Sequence, residues 1–242
     1  SLLSSKLGGT NICLLQRFGK GLMHQKILVI DNSKVWIGSA NMTSESLQMH
    51  GNLVIGFNSP PLAHMITEKA AAMKPEGRNP PMQDETFTMG NQQVEMWFLP
   101  DNPDAIGRIK MLIRTVEKSI RIAMFTWTRH DLASAVIHAA HRGIDVQVVI
   151  DHNSGNGASA VIAKLLKNSG VDVRLSKGGP LLHHKFLYID GKTLVNGSAN
   201  WTKAAFAEND DCFVVLHKLT ETQHQVIEKL WNVIHNNSTA IN

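Results

Sequence analysis

Two histidine–lysine pairs carry the chemistry open to this sequence. His24 and Lys26 stand two residues apart, ahead of an apolar run, Ile27–Ile30, that ends at Asp31. His183 and Lys185 repeat the arrangement ahead of Phe186–Ile189 and Asp190. Each aspartate is followed by the same tetrapeptide at the same distance, Gly38-Ser39-Ala40-Asn41 and Gly197-Ser198-Ala199-Asn200. From His24 to His183 and from Asn41 to Asn200 the offset is 159 residues, so neither copy holds a gap.

Alternate residues of a strand share a face, so each histidine points the same way as its lysine. Brought face to face, two ammonium groups with the amides of Asn41 and Asn200 and the hydroxyls of Ser39 and Ser198 make a pocket for a phosphoryl group. One imidazole can attack phosphorus while the other protonates the leaving oxygen and then deprotonates a water. Histidine suits both tasks because it titrates near neutral pH. No metal or other cofactor is expected, since the lysines supply the positive charge. His183 and His184 are adjacent on a strand and face opposite ways, which argues against a shared ion. Asp31 and Asp190 complete the catalytic motif but fall on the other parity and open the turns Asp31-Asn32 and Asp190-Gly191. Their expected role is to hold a strand end or a neighbouring backbone.

Elements that position these residues read clearly in the second copy. Strands are expected at Val94–Leu99, Ile120–Trp127, Val146–Asp151, Val171–Leu175 and Cys212–Leu216. Helices are expected after Asn102-Pro103, through Leu132–Ala140 to a stop at Gly143, over Ala158–Asn168, and over Thr220–Ile234. Strands alternating with helices argue an α/β fold with mostly parallel sheets. Ser154-Gly155-Asn156-Gly157 reads as a strand-to-helix connector, with an anion-binding turn as the alternative. The first copy has only 23 residues before its histidine. Its lobe is therefore expected to be N-terminally incomplete, the C-terminal part of a fuller unit with an open edge and an uncovered face. The division expected is 1–73 for this first lobe, 74–93 for a linker around Pro80-Pro81, and 94–242 for a complete second lobe.

Composition bounds the answer less tightly. With 242 residues, 43% of them hydrophobic, the chain can bury a sizeable core. A net charge of +4 suits any anionic substrate, lipid headgroup or nucleic acid. Cys13 and Cys212 each sit in an apolar run and read as small buried hydrophobes, not a disulfide. No apolar stretch is long enough to cross a membrane. Trp127, Trp201 and Phe206 fall near motif or strand ends, where they are core residues or groups that enter a lipid interface or stack on bases.

The paired motif resembles the signature of the phospholipase D superfamily, through His24, Lys26, Asp31, Ser39 and Asn41 in one copy and His183, Lys185, Asp190, Ser198 and Asn200 in the other. The stretch from Val94 to Ile234 resembles a whole unit of the bacterial phospholipase-D-like endonucleases, including Trp201-Thr202-Lys203-Ala204-Ala205 and Glu208-Asn209-Asp210-Asp211. That resemblance implies a two-lobed α/β sandwich with a pseudo-twofold axis and phosphodiester cleavage through a phosphohistidine, without a metal. It also implies that Asp211 orients the histidine of its own half, His183, whereas the counterpart position in the first copy is the uncharged Asn52. Three functions follow: a phospholipase D-type hydrolase or transferase acting on phospholipid headgroups, with peripheral membrane contact; a metal-independent endonuclease; and a non-catalytic phosphate-binding protein. Intact histidine and lysine in both copies count against the third.

Overall fold

The computed structural model describes residues 12–18, 20–75 and 79–241. The first repeat forms a small antiparallel sheet, ordered β1 (Ile27–Ile30), β2 (Lys34–Gly38), β3 (Val54–Asn58). The β1–β2 turn places Asp31 and Asn32 at φ of 52° and 48°, left-handed values that these residue types tolerate well. A short helix α1 (Ser44–Gln48) follows β2, with the Thr43 hydroxyl accepting from the Ser46 N–H. Helix α2 (Pro60–Ala72) starts at Ser59, and its two prolines occupy first-turn positions that need no N–H donor.

The second repeat is larger. In chain order it comprises β4 (Glu85–Met89), β5 (Gln92–Leu99), α3 (Ala105–Arg114), β6 (Ser119–Met124), α4 (His130–His141), β7 (Asp145–Ile150), α5 (His152–Asn156), α6 (Ala160–Asn168), β8 (Asp172–Ser176), β9 (Lys185–Ile189), β10 (Thr193–Gly197), α7 (Lys203–Ala207), β11 (Asp211–Leu216), α8 (Glu221–Asn236) and β12 (Ser238–Ala240). Its sheet runs β12-β8-β7-β6-β9-β10-β11-β5-β4. The α/β class holds, but the sheet is mixed. Parallel pairing is confined to β6–β7–β8, where helical crossovers return the chain to the same end. The neighbouring pairs outside that ladder, several of them joined by tight turns, are antiparallel. Part of the segment read as a linker, residues 85–89, is strand β4, which pairs with β5 across a turn at Gly90 (φ 60°).

The repeat survives in three dimensions: β1, β2, α1, β3 and α2 recur as β9, β10, α7, β11 and α8. Thr202 caps α7 as Thr43 caps α1. Gly38 and Gly197 lie so close to the next strand that a Cβ at either would stand 2.2 Å from a backbone oxygen, that of Leu53 or of Cys212. This close approach explains the glycine of both tetrapeptides.

Two cores flank the nine-stranded sheet. On one face, Ile109 and Ile113 of α3, Leu132 and Val136 of α4 and Ile162 and Leu166 of α6 pack on Ile120, Ile122, Val148, Leu187 and Val215. On the other, the two halves meet: Val35, Ile37 and Phe57 with Leu62 and Ile66 of α2 join Met96, Phe98, Phe186, Val214, Ile227 and Trp231. The halves therefore share a core, stabilised at roughly 25 cal/mol per Å² of apolar surface removed from water. The outer face of the small sheet has no helical cover among the described residues. Leu28, Ile30 and Val54 are 44%, 40% and 42% exposed, against 1%, 6% and 3% for their counterparts Leu187, Ile189 and Phe213.

Cys212 is buried as expected, whereas Cys13 is exposed. Trp127, Trp201 and Phe206 are all buried in the core beneath the α3–α4–α6 layer, so neither insertion into lipid nor base stacking is open to them. Residues 152–156 form the short helix α5, and a Cβ on Gly155 would strike the Leu175 side chain, so this turn is packed against the sheet. None of the helices among the described residues is long and apolar enough to cross a membrane.

Candidate active site

Backbone rungs that obey the repeat hold the two motifs together. The His24 N–H donates to the Asp210 carbonyl and the Asp210 N–H to the Leu22 carbonyl, both at 2.8 Å. The His183 N–H donates to the Gly51 carbonyl and the Gly51 N–H to the Leu181 carbonyl, again at 2.8 Å. A shift of 159 residues converts one set into the other. Each histidine is thus bridged to the residue just before position 211 or 52 of the opposite half.

Side chains cross in the same way. His24 Nδ1 lies 2.7 Å from Asp211 Oδ1, and His183 Nδ1 lies 3.0 Å from Asn52 Oδ1. Asp211 therefore orients His24 of the other half, not His183 of its own; the sheet register carries residue 211 across the interface. Ser39 and Ser198 are fully buried, and neither reaches the cleft as a substrate ligand. Ser39 donates to Asn52 Oδ1 at 2.9 Å and Ser198 to Asp211 Oδ1 at 2.6 Å, while each accepts a backbone N–H from Leu53 or Cys212. Their role is to hold the orienting residue.

The network fixes protons as well as positions. Asn52 Nδ2 donates to the Ser46 carbonyl at 2.8 Å, so Oδ1 faces His183 as an acceptor. His183 must then carry its proton on Nδ1, leaving the Nε2 lone pair free. Burial, then the charges of Lys185 and Lys26, push His183 down to about 3, so its neutral form dominates at ordinary pH. His24 faces a buried carboxylate, which stabilises an imidazolium as it forms. The arrangement sets one neutral imidazole against an amide and one imidazole against a carboxylate.

The lysines sit beneath the histidines. Lys26 Nζ donates to the His24 carbonyl at 2.6 Å and Lys185 Nζ to the His183 carbonyl at 2.8 Å. Burial lowers Lys26 to about 8, partly offset by Asp211 and Cys212. Lys185 is driven well below the usual lysine range by burial and by Lys26, against the opposing pull of Asp211 and Asp151.

Asn200 Oδ1 accepts the Thr126 N–H at 3.3 Å, which leaves its amide nitrogen free to donate. The Asn41 backbone N–H is held by Ser46 Oγ at 3.0 Å. Asp31 and Asp190 stand outside the cleft. Asp190 lies five residues beyond Lys185, about 17 Å along an extended strand, where its carboxylate accepts the N–H groups of Glu117, Lys118 and Ser119 at 2.8–3.0 Å. Asp190 thus has the supporting role expected of it, and Asp31 occupies the equivalent turn, exposed. His184 turns away from the cleft and packs edge-on against Phe186 at 5.6 Å.

Phe125 gave no signal in the sequence beyond an apolar strand. Its ring lies 5.0 Å from the His183 ring and 4.8 Å from Lys185 Nζ, a cation–π contact that shapes one wall of the cleft. His50 lies 6.2 Å from His183 on the other side. Neither is placed by periodicity, because each reaches the site through a fold-level contact.

The chain is similar in sequence and fold to known proteins. A family model described as "Cardiolipin synthase, PLD-like domain" matches residues 2–74 and 109–234. Mitochondrial cardiolipin hydrolases of Chlamydomonas reinhardtii and Xenopus tropicalis are 31% and 30% identical over 54% and 55% of this chain. The chain spans 59% and 64% of the length of these two relatives. The phospholipase D family member Nuc of Salmonella typhimurium superposes with a TM-score of 0.57 at 28% identity, over 63% of this chain and 99% of that one. Phosphatidylserine synthase of Haemophilus influenzae superposes with a TM-score of 0.71 over 91% of this chain and 64% of that one, at 12% identity, a likeness of fold alone. The family model covers most of the chain, and its two stretches each contain one histidine–lysine motif: the chain belongs to the PLD-like domain family of the phospholipase D superfamily.

Proposed function

We propose that this chain is a phospholipase D-type phosphodiester hydrolase in which His183 is the nucleophile and His24 the acid and then the base. The unequal pair Asn52 and Asp211, set behind otherwise equivalent histidines, carries this reading. His183 Nε2 attacks phosphorus while Lys26, Lys185 and the amides of Asn41 and Asn200 neutralise the equatorial oxygens. As the P–O bond breaks, His24 gives its Nε2 proton to the leaving oxygen, and a phosphohistidine remains. A water then attacks phosphorus, neutral His24 takes its proton, and the P–N electron pair returns to His183. An alcohol in place of water would make the second step a transfer.

The preferred substrate is a phospholipid headgroup, cardiolipin first, because curated relatives at about 30% identity are named for hydrolysing it. A nucleic acid phosphodiester is the second reading, favoured by the Phe125 ring at the cleft wall, a surface on which a base can stack. The test uses the His24→Ala variant with bis(p-nitrophenyl) phosphate, whose leaving group needs no proton. One p-nitrophenolate leaves, and a p-nitrophenyl phosphoryl group is expected to accumulate on His183, found by mass spectrometry, because the base for the second step is gone. Label on any other residue, or none, would overturn the assignment. Parallel assays on cardiolipin vesicles and single-stranded DNA, with chelator present, separate the two substrates.

A further inference from the structure

We propose that Asp151 is a positioning residue for the second histidine–lysine pair, an inference that rests on the catalytic role given to that pair above. Asp151 closes β7 and is 2% exposed, yet it makes no ion pair among the described residues. Its Oδ1 accepts the N–H groups of Asn153 and Ser154 at 3.0 and 3.1 Å. The turn read as a candidate anion site is therefore occupied by the chain's own carboxylate. Its Oδ2 accepts the Leu182 N–H at 3.1 Å.

That last bond reaches the residue next to the nucleophile. Along an extended chain successive N–H groups point to opposite sides. The His183 N–H is held by Gly51 of the first half, and the Leu182 N–H, pointing the other way, is held by Asp151. The segment carrying His183 is thus fixed on both edges, one edge by the opposite lobe and the other by β7. At the counterpart position in the first half, Met23, no carboxylate plays this part among the described residues. Asp151 has a second effect. With Asp211 it supplies the negative charge that opposes burial and the cation Lys26 at Lys185. Also near Lys185 among the described residues are the Phe125 ring, the His183 carbonyl and the imidazoles of His183 and His184, both of which its charge lowers.

The variant Asp151→Asn separates this role from plain helix capping. Asparagine caps a helix as well as aspartate, but it carries no charge and its amide nitrogen cannot accept the Leu182 N–H. The full chain is expected to keep a cooperative melt and to lose about tenfold in kcat/KM on bis(p-nitrophenyl) phosphate, with the basic limb of its pH profile about one pH unit lower. Asp190→Asn serves as the comparison, since that carboxylate holds backbone far from the cleft; it should lower Tm and leave the limb in place. An Asp151→Asn limb at the wild-type position, or a rate within twofold of wild type, would overturn the proposal.

Inorganic phosphate binding, followed by calorimetry against pH, reads the same charge without turnover. A wild-type chain that binds phosphate with the expected variant shift but hydrolyses no phosphodiester would sink the hydrolase reading and leave Asp151 standing. A hydrolase whose limb ignores Asp151→Asn would do the reverse, and no phosphate binding at any pH would sink both.

Discussion

Asp211→Asn is the most informative single change. The asparagine keeps its side-chain oxygen for Ser198 and His24, so the shape behind His24 survives while the charge is lost. Asp211 is fully buried, and its Oδ1 stands 2.7 Å from His24 Nδ1. A hydrogen bond to a charged partner contributes roughly 1.5–3 kcal/mol, or about 10- to 100-fold in rate if it is expressed fully as His24 gives up its proton. That loss should depend on the leaving group. For an alkyl phosphodiester, whose alkoxide must be protonated, kcat/KM is expected to fall by about 10- to 100-fold. For bis(p-nitrophenyl) phosphate, whose phenolate leaves unaided, the fall should be only a few-fold. Because kcat/KM covers only the steps up to the first irreversible one, the comparison isolates departure of the leaving group from hydrolysis of the intermediate. Equal losses on both substrates would refute the assignment of His24 as acid and favour it as the nucleophile.

Two further outcomes follow from the charges in the site and beside it. Lys26, lowered to about 8 by burial, and Lys185, also lowered by burial, must both be charged to hold a phosphodiester, so kcat/KM should decline as pH rises through the more acidic of the two. His183, held near 3, stays unprotonated well below that limb and does not set it. Lys26→Met should cost most of the rate and move the remaining limb to higher pH, because the Lys26 charge lowers Lys185; an unchanged limb in that variant would show that the two ammonium groups are not coupled. Glu95 tests stability. Burial alone would raise its carboxyl, but the bonds from His217, Arg108 and Trp97 outweigh burial and hold it near 2, below the ordinary 4.5. Its stabilisation is therefore fully present above about pH 4.5 and lost as pH falls towards 2, and, discounted for partial exposure, it amounts to about 2 kcal/mol. Urea unfolding at pH 7 should show Glu95→Gln less stable by about that amount, and a loss under about 0.5 kcal/mol would contradict it.

How far the sequence could be read depended on the range of the interaction. Strand and helix positions in the second half were legible to within a few residues, because alternation, caps and turn dipeptides act locally. The gapless offset of the motifs was legible too, and it foretold two halves meeting at one cleft. What stayed hidden was which half each orienting residue serves. Asp211 follows His183 in sequence, yet the rung from Asp210 to His24 carries it across the interface. No pattern along the chain reports that crossing. Ser39 and Ser198 look like substrate ligands until the close approach at Gly38 and Gly197 turns them inward. Strand β4 was missed because its five residues are mostly exposed and follow two prolines; the Gly90-Asn91 turn was its one local signal.

The crossing has a consequence for how the site works. Neither half holds a complete histidine: His24 lacks its carboxylate until Asp211 arrives, and His183 lacks its acceptor until Asn52 does. Packing of the two halves and completion of both histidine contacts are therefore the same event, which ties the shared core around Ile37, Phe98 and Val214 to the geometry of the candidate site as well as to stability. Crossing also explains how one residue can break the symmetry. Were position 52 an aspartate, both imidazoles would meet a carboxylate, and this source of asymmetry between them would be gone. An amide at 52 accepts from His183 Nδ1, while a carboxylate at 211 meets His24 Nδ1, and the proposed division of roles rests on that difference. A tandem repeat within one chain allows this division, because its two copies can differ where two identical chains cannot.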